Sequence, residues 1–220
     1  AYMAHYNIPW SHCIVMQNAI DPIEEHTKLN DGTIRLAYWS TPHRGLNILV
    51  PVFDKLCEKY DNIELDVYSS FKLYGWEDRD KQYEALFDTC KNHPKINYHG
   101  TVSNKTLKEN LKNTHIFAYP STWPETSCLC LMEAMSANML CVHSNFAALA
   151  ETAANWTNIY QFHEDENMHA NIFYGALDAS IESYWDDGVQ STLQSQRSYA
   201  NIFYNWNLRS FQWTQFLTSM

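Results

Sequence analysis

Ile116-Phe-Ala-Tyr-Pro-Ser-Thr-Trp-Pro-Glu-Thr-Ser-Cys-Leu-Cys-Leu-Met-Glu-Ala-Met-Ser136 is the stretch on which the fold turns. Four apolar residues, Ile116–Tyr119, read as a short buried strand, and Pro120–Glu125 as a loop broken by two prolines. A run of small and apolar residues then predicts a helix over Thr126–Ala137, and Leu140–His143 a further strand bounded by Ser144-Asn145. Upstream the same alternation holds. Ile34–Tyr38, Ile63–Tyr68 and Ile96–Tyr98 read as strands, with helices predicted over Leu46–Tyr60, Trp76–Lys91 and Asn104–Asn113. Ser103 is placed to cap the last of these, and Leu107 and Leu111 mark its buried face. Ile14–Met16 reads as a short strand running into a turn at Gln17–Pro22. Beyond Ile159 the pattern turns helical, over Glu164–Tyr184, Asp187–Phe203 and an aromatic-rich Trp206–Leu217. Short apolar strands alternating with helices imply an α/β fold, a Rossmann-like parallel sheet with helices on both faces, whose ligands bind beyond the strands' carboxyl ends.

Composition narrows the function classes. The 220 residues hold 15 Lys and Arg against 25 Asp and Glu, a formal charge of −10. Such a field opposes nucleic acid and anionic membranes as bulk partners. A phosphate-bearing ligand must then be small and held by a local cluster of donors. No apolar run reaches the ~20 residues of a membrane span. Six scattered cysteines without a CxxC pair read as buried thiols of a reducing, cytoplasmic compartment. The absence of Gly-x-Gly-x-x-Gly after the first strand disfavours a nicotinamide enzyme.

Two loops carry the chemistry. Glu125 and Glu133 stand eight positions apart, so on one helix both carboxylates face the same way, about 12 Å apart along the axis. The amides of Thr126, Ser127 and Cys128 would be the free N–H groups of that helix's start, suited to a sugar oxygen or a phosphate. After the first strand, Trp39-Ser-Thr-Pro-His-Arg-Gly-Leu46 brings Arg44 and backbone amides to the sheet edge. Arg44 offers a bidentate charge-assisted contact, and Gly45 removes a Cβ that would block a phosphate's close approach.

The order Asn18-Ala-Ile-Asp21, Arg44-Gly-Leu46, Tyr98-His-Gly-Thr-Val102, Tyr119-Pro-Ser121, Glu125-x7-Glu133-Ala-Met and Ala147-Ala-Leu-Ala-Glu-Thr152 resembles the C-terminal domain of retaining glycosyltransferase family 4, a GT-B fold. The resemblance runs from about Ile14 to Thr152, and the Trp206 helix is similar to the family's C-terminal Trp-containing segment. It implies that residues 1–20 are a hinge and remnant of an N-terminal lobe, and 21–220 the nucleotide-sugar-binding domain. It implies, too, that Arg44 meets the donor diphosphate, with Thr41 and His43 near it. The backbone at Thr101 and Val102 would read the base, Glu125 would contact the sugar with Arg44 as its catalytic partner, and Glu133 would take the ribose hydroxyls. The donor would be a UDP- or GDP-sugar, with no cofactor and no metal. A glycan, lipid or protein acceptor would be bound by a lobe outside this chain. Ser40-Thr41 stands where the family has Gly-Arg, and Cys128 where it has Gly, which leaves the donor's identity open. A non-catalytic GT-B-like interaction module, or a GT-B epimerase or phosphorylase, are the competing readings.

Overall fold

The structure, a computed structural model, describes residues 5–219. Six parallel strands form one sheet in the order β3-β2-β1-β4-β5-β6. They are β1 (Ile34–Trp39), β2 (Ile63–Tyr68), β3 (Ile96–Tyr98), β4 (Ile116–Tyr119), β5 (Leu140–Ser144) and β6 (Asn158–Tyr160). Leu36 of β1 pairs with Leu65 of β2 on one side and Ile116 of β4 on the other, and Tyr119 pairs with His143 of β5. The central strands are buried on both faces: Leu36, Ala37, Tyr38 and all of Ile116–Tyr119 are fully enclosed. That is why they read as continuous apolar runs and not as alternating ones.

The helices are α1 (Leu46–Cys57), α2 (Glu84–Asn92), α3 (Asn104–Leu111), α4 (Leu129–Ser136), α5 (Leu149–Ala153), α6 (Glu166–Glu182), α7 (Asp187–Phe203) and α8 (Trp206–Thr218). Helix α6 packs on α1, β4, β5 and β6, while α4 packs on α7 and β5. Ser103 caps α3 as expected, its Oγ accepting from Thr106 N at 3.1 Å, with Leu107 and Leu111 buried. The strand order reverses between β1 and β4. A crevice opens there at the carboxyl edge, where doubly wound sheets bind ligands.

Three expectations need correction. Ile14–Met16 is not a strand; Ile14 and Val15 are exposed and pair with nothing in the sheet. The helix expected over Trp76–Lys91 divides into a 3-10 turn, Glu77–Tyr83, and α2. Asp80 explains the division: its carboxylate accepts from Ser70 Oγ at 2.6 Å and Phe71 N at 2.8 Å, which ties the turn to the preceding loop. The helix expected from Thr126 begins three residues later, at Leu129. Glu125 is the cause. Its carboxylate bonds to Arg44 across the crevice and its carbonyl accepts from Ala148 N at 3.1 Å, so the segment before Leu129 is held as a loop. The short elements α5 and β6 carry no period long enough to detect in sequence, and Asn158 and Ile159 of β6 are exposed at the sheet edge.

Candidate functional site

A cavity of about 410 Å³ lies at the switch point. The ends of β1 and β2 supply its floor, the loops after β3 and β4 its sides, and the start of α4 its back wall. Thr41, Arg44, Thr101, Val102, Glu125, Thr126, Ser127, Cys128 and Glu133 all line it. Nine residues drawn from three separate stretches of sequence therefore meet in one place.

Two others do not. His43 turns away, stacking on Phe71 at 5.2 Å and meeting Trp123 edge-on at 4.8 Å. Gly45 sits at φ +106°, and a Cβ there would lie on the carbonyl oxygen of Pro120. The close approach that requires a glycine is thus between the turn after β1 and the loop after β4, not between the turn and a ligand.

Arg44 and Glu125 form an ion pair in the wall of the site. Arg44 Nη1 donates to Glu125 Oε1 at 2.6 Å, and Tyr119 Oη donates to the same oxygen at 2.7 Å. Glu125 is 7% exposed. Burial works against the guanidinium's charge, but Glu125 and Tyr119 outweigh it and hold its pKa above the ordinary value. The guanidinium also lies over the Trp123 ring, 5.7 Å from its centroid. Its Nε is buried without a partner, and so is Oγ1 of Thr41. Buried donors left unpaired are costly, and a ligand oxygen at this wall would relieve both.

Glu133 projects from the middle of α4. Among the described residues its carboxylate accepts one hydrogen bond, from Trp39 Nε1 at 3.3 Å. Burial raises its pKa, against the lowering pull of Lys108 and the Trp39 bond. This carboxylate has lone pairs to spare and, among the described residues, no cation in contact, the condition for accepting two hydroxyls of a ligand. Because α4 starts at Leu129 with Cys128 as its N-cap, the amides of the helix start are those of Cys128, Leu129, Cys130 and Leu131, and Thr126 and Ser127 lie in the loop before it. Leu129 and Cys130 line the cavity. Cys128 is 3% exposed at its edge. Its neighbour Cys130 donates through Sγ to Trp39 O at 3.0 Å.

Sequence reasoning missed Trp39 and Tyr119, because aromatics at buried strand ends read as core. It missed Tyr68, Ser70 and Tyr74 as well, which line the cavity from the end of β2. The rule that ligands sit beyond strand ends could have found these three. Tyr68 stacks on His99 at 4.4 Å and accepts from Asn110 Nδ2 at 2.9 Å, which fixes that wall. Among the described residues no group of three or more His, Cys, Asp or Glu side chains could hold a metal ion, and no helix is long and apolar enough to cross a membrane.

No curated protein matches the chain. Among solved structures it is similar to a glycosyltransferase from Rickettsia africae, at 15% identity and a TM-score of 0.70 over 85% of this chain and 48% of that one. Sucrose-phosphate synthase from Thermosynechococcus elongatus superposes with a TM-score of 0.68, at 16% identity, over 87% and 46%. Anabaena HepE in complex with UDP gives 0.67, at 15% identity, over 86% and 49%. The chain spans about half the length of these structures, and at such identities they establish the GT-B-type, Rossmann-like fold. The sequence itself goes further, because residues 37–174 match the family described as Glycosyl transferases group 1. With well over half of its length inside that match, the chain belongs to the glycosyl transferases group 1 family.

Proposed function

We propose that this chain is the donor-binding half of a retaining glycosyltransferase of family 4, moving a hexose from a UDP- or GDP-sugar to an acceptor hydroxyl. The observation that carries this reading is the meeting of Arg44, Thr41 and Glu133 in one cavity at the switch point, each with unspent hydrogen-bonding capacity. Glu133 takes the vicinal ribose hydroxyls. Arg44 Nε, Thr41 Oγ1 and the first amides of α4 meet the diphosphate. The backbone at Thr101 and Val102 reads the base, and the sugar lies toward Glu125, Thr126, Ser127 and Cys128. Anabaena HepE, of the same fold, is a complex with UDP, and a second structure of it holds UDP-glucose.

In this reading the reaction is helped chiefly by charge stabilisation. As the glycosidic bond breaks, negative charge builds on the departing diphosphate, and a pre-oriented guanidinium stabilises it more than it stabilises the ground state. Glu125 keeps Arg44 in place through Nη1 while Nε and the far edge face the phosphate. Arg44 and the α4 amides supply the charge that a metal ion would otherwise supply, so the donor is bound without a metal or cofactor. The acceptor belongs to a second lobe, which would cover the apolar side chains exposed on α8, Phe211 and Leu217 at 61% each, and the segment around Trp10 at 76%. The reducing, cytoplasmic setting inferred from the cysteines agrees with a soluble nucleotide-sugar donor.

Calorimetric titration with UDP and GDP tests the reading. One of the two is expected to bind one-to-one, with Glu133→Ala weakening it at least tenfold, about 1.4 kcal/mol. Failure of both at millimolar concentration would leave the non-catalytic interaction module as the better account. Product analysis of the two-lobed protein separates transfer from epimerisation or phosphorolysis.

A further inference from the structure

At the opposite end of the sheet, where β5 begins and α4 ends, the segment around Ile23–Lys28 lies against α7 and encloses a cavity of about 660 Å³. His26, Lys28 and Arg197 line it. Glu25 is the acid of this lining, and its carboxylate is 94% exposed and 4.0 Å from Arg197 Nη1. Three bases facing one solvated acid invert the balance of a chain whose net charge is −10.

The hydrogen bonds show what these bases leave unspent. Lys28, 9% exposed, donates from Nζ to Leu111 O at 2.9 Å, so two of its three ammonium protons remain. No carboxylate among the described residues forms an ion pair with it, and burial pushes its pKa down to about 7. Arg197 donates through Nη2 to Ile23 O at 3.3 Å, while its Nε is buried without a partner. Both ring nitrogens of His26 face carbonyl oxygens, Glu24 O at 2.8 Å and Ala137 O at 3.1 Å, an arrangement that only the doubly protonated ring satisfies. Burial, Lys28 and Arg197 nevertheless oppose that charge. Capping helix ends explains the bond of Lys28 to Leu111 O and that of His26 to Ala137 O, but not that of Arg197 to Ile23 O, which lies in a loop. It does not explain why three bases share one opening whose acid, Glu25, is solvent-exposed and 4.0 Å from Arg197 Nη1, an arrangement that an entering anion would stabilise. The remaining walls include Gln190, Gln194 and Ser198, amide and hydroxyl groups that suit ligand hydroxyls.

We propose that this cavity is a second ligand site, separate from the nucleotide cavity, that takes the phosphate monoester of a small polyol, with the phosphate among Lys28, Arg197 and His26 and the hydroxyls toward Gln190, Gln194 and Ser198. The Nε edge of Arg197 gives the paired donors that planar phosphate recognition uses, and Lys28 a point charge beside it.

The test titrates the chain with inorganic phosphate and with glycerol 3-phosphate, following binding by calorimetry and by the indole N–H resonances. Both anions should bind, glycerol 3-phosphate at least about threefold tighter, and Lys28→Met and Arg197→Gln should each weaken binding about tenfold or more. Lys28→Met deletes an uncompensated buried charge and so keeps the fold. The double variant Arg44→Gln/Glu125→Gln, which disables the other cavity, should bind both anions as the unaltered chain does. In the unaltered protein the indole resonance of Trp185, which lines this cavity, should move, and that of Trp39 should not. No binding at about 10 mM overturns the proposal, as does binding that disappears in the double variant, survives in Lys28→Met, or moves Trp39 instead. Equal affinity for the two anions overturns the polyol assignment.

Discussion

The loop that carries Glu125 and the helix that carries Glu133 present two carboxylates to the same cavity, and they treat them in opposite ways. Glu125 accepts from Arg44 and from Tyr119 on a single oxygen and is almost fully enclosed. Glu133, on α4, accepts one longer bond from an indole and, among the described residues, meets no cation. The first carboxylate is spent on structure: it binds the loop after β4 to the turn after β1 and sets where Arg44 points. The second is kept free, at the cost of an uncompensated, part-buried charge. The difference locates function within the site. A group already satisfied by the protein positions its neighbours, and a group left short is the one that a ligand completes.

The sharpest way to break this contrast is Arg44→Gln, which strands Glu125 in a buried site. A stability loss of about 3–5 kcal/mol is expected in denaturant melts, and Arg44→Gln/Glu125→Gln should recover most of it, because no buried charge then remains. If the single variant melts like the unaltered chain, the pair is not what holds the loop. Gly45→Ala attacks the same anchor from the backbone. With φ at +106° and Pro120's carbonyl in the way, the expected cost is about 3 kcal/mol. Tyr119→Phe removes one of the two donors to Glu125 and should cost about 1–2 kcal/mol while leaving nucleotide affinity within about twofold.

Glu133→Gln sharpens the other side. Its stability effect at neutral pH should be within about 0.5 kcal/mol or slightly favourable, since it removes an unpaired charge. The sign with pH follows from the direction of the shift. Burial raises the folded-state pKa of Glu133 above its unfolded value, so the native state prefers the protonated carboxyl. That preference stabilises the fold at acid pH and is lost as pH rises through the folded pKa. The Gln variant should therefore gain on the unaltered chain as pH rises from 4 toward 7, measured by melts across that range. A constant difference would mean that Glu133 is not desolvated.

Much of the architecture was legible because the central strands are so completely buried that their apolar runs survive in sequence, as at Leu36–Tyr38 and Phe117–Tyr119. The end of β1 and the loop after β4 were legible as chemistry because Arg44, Glu125 and Glu133 keep charges that a core would not tolerate without a purpose. What could not be read was how those charges are allotted. Arg44 and Glu125 are 81 positions apart, and nothing local says that they bind each other before they bind a ligand. The same long-range pairing moved the start of α4 from Thr126 to Leu129. Gly45 was legible as a glycine that something approaches closely, but local sequence cannot show that the approaching group is Pro120. Trp39 and Tyr119 were hidden because each has an apolar body in the core and one polar atom in the site, and hydrophobic patterning sees only the body.

In the proposed reading the donor's ribose and diphosphate complete Glu133 and Arg44, while Glu125 stays bonded to Arg44 beside the sugar. A crystal structure of the chain with bound UDP tests it most directly. The expected result is the ribose diol on Glu133, the diphosphate on Arg44 Nε and Thr41 Oγ1, and the Arg44–Glu125 bond unbroken. Nucleotide bound away from Glu133, or Arg44 released from Glu125 to reach it, would contradict it.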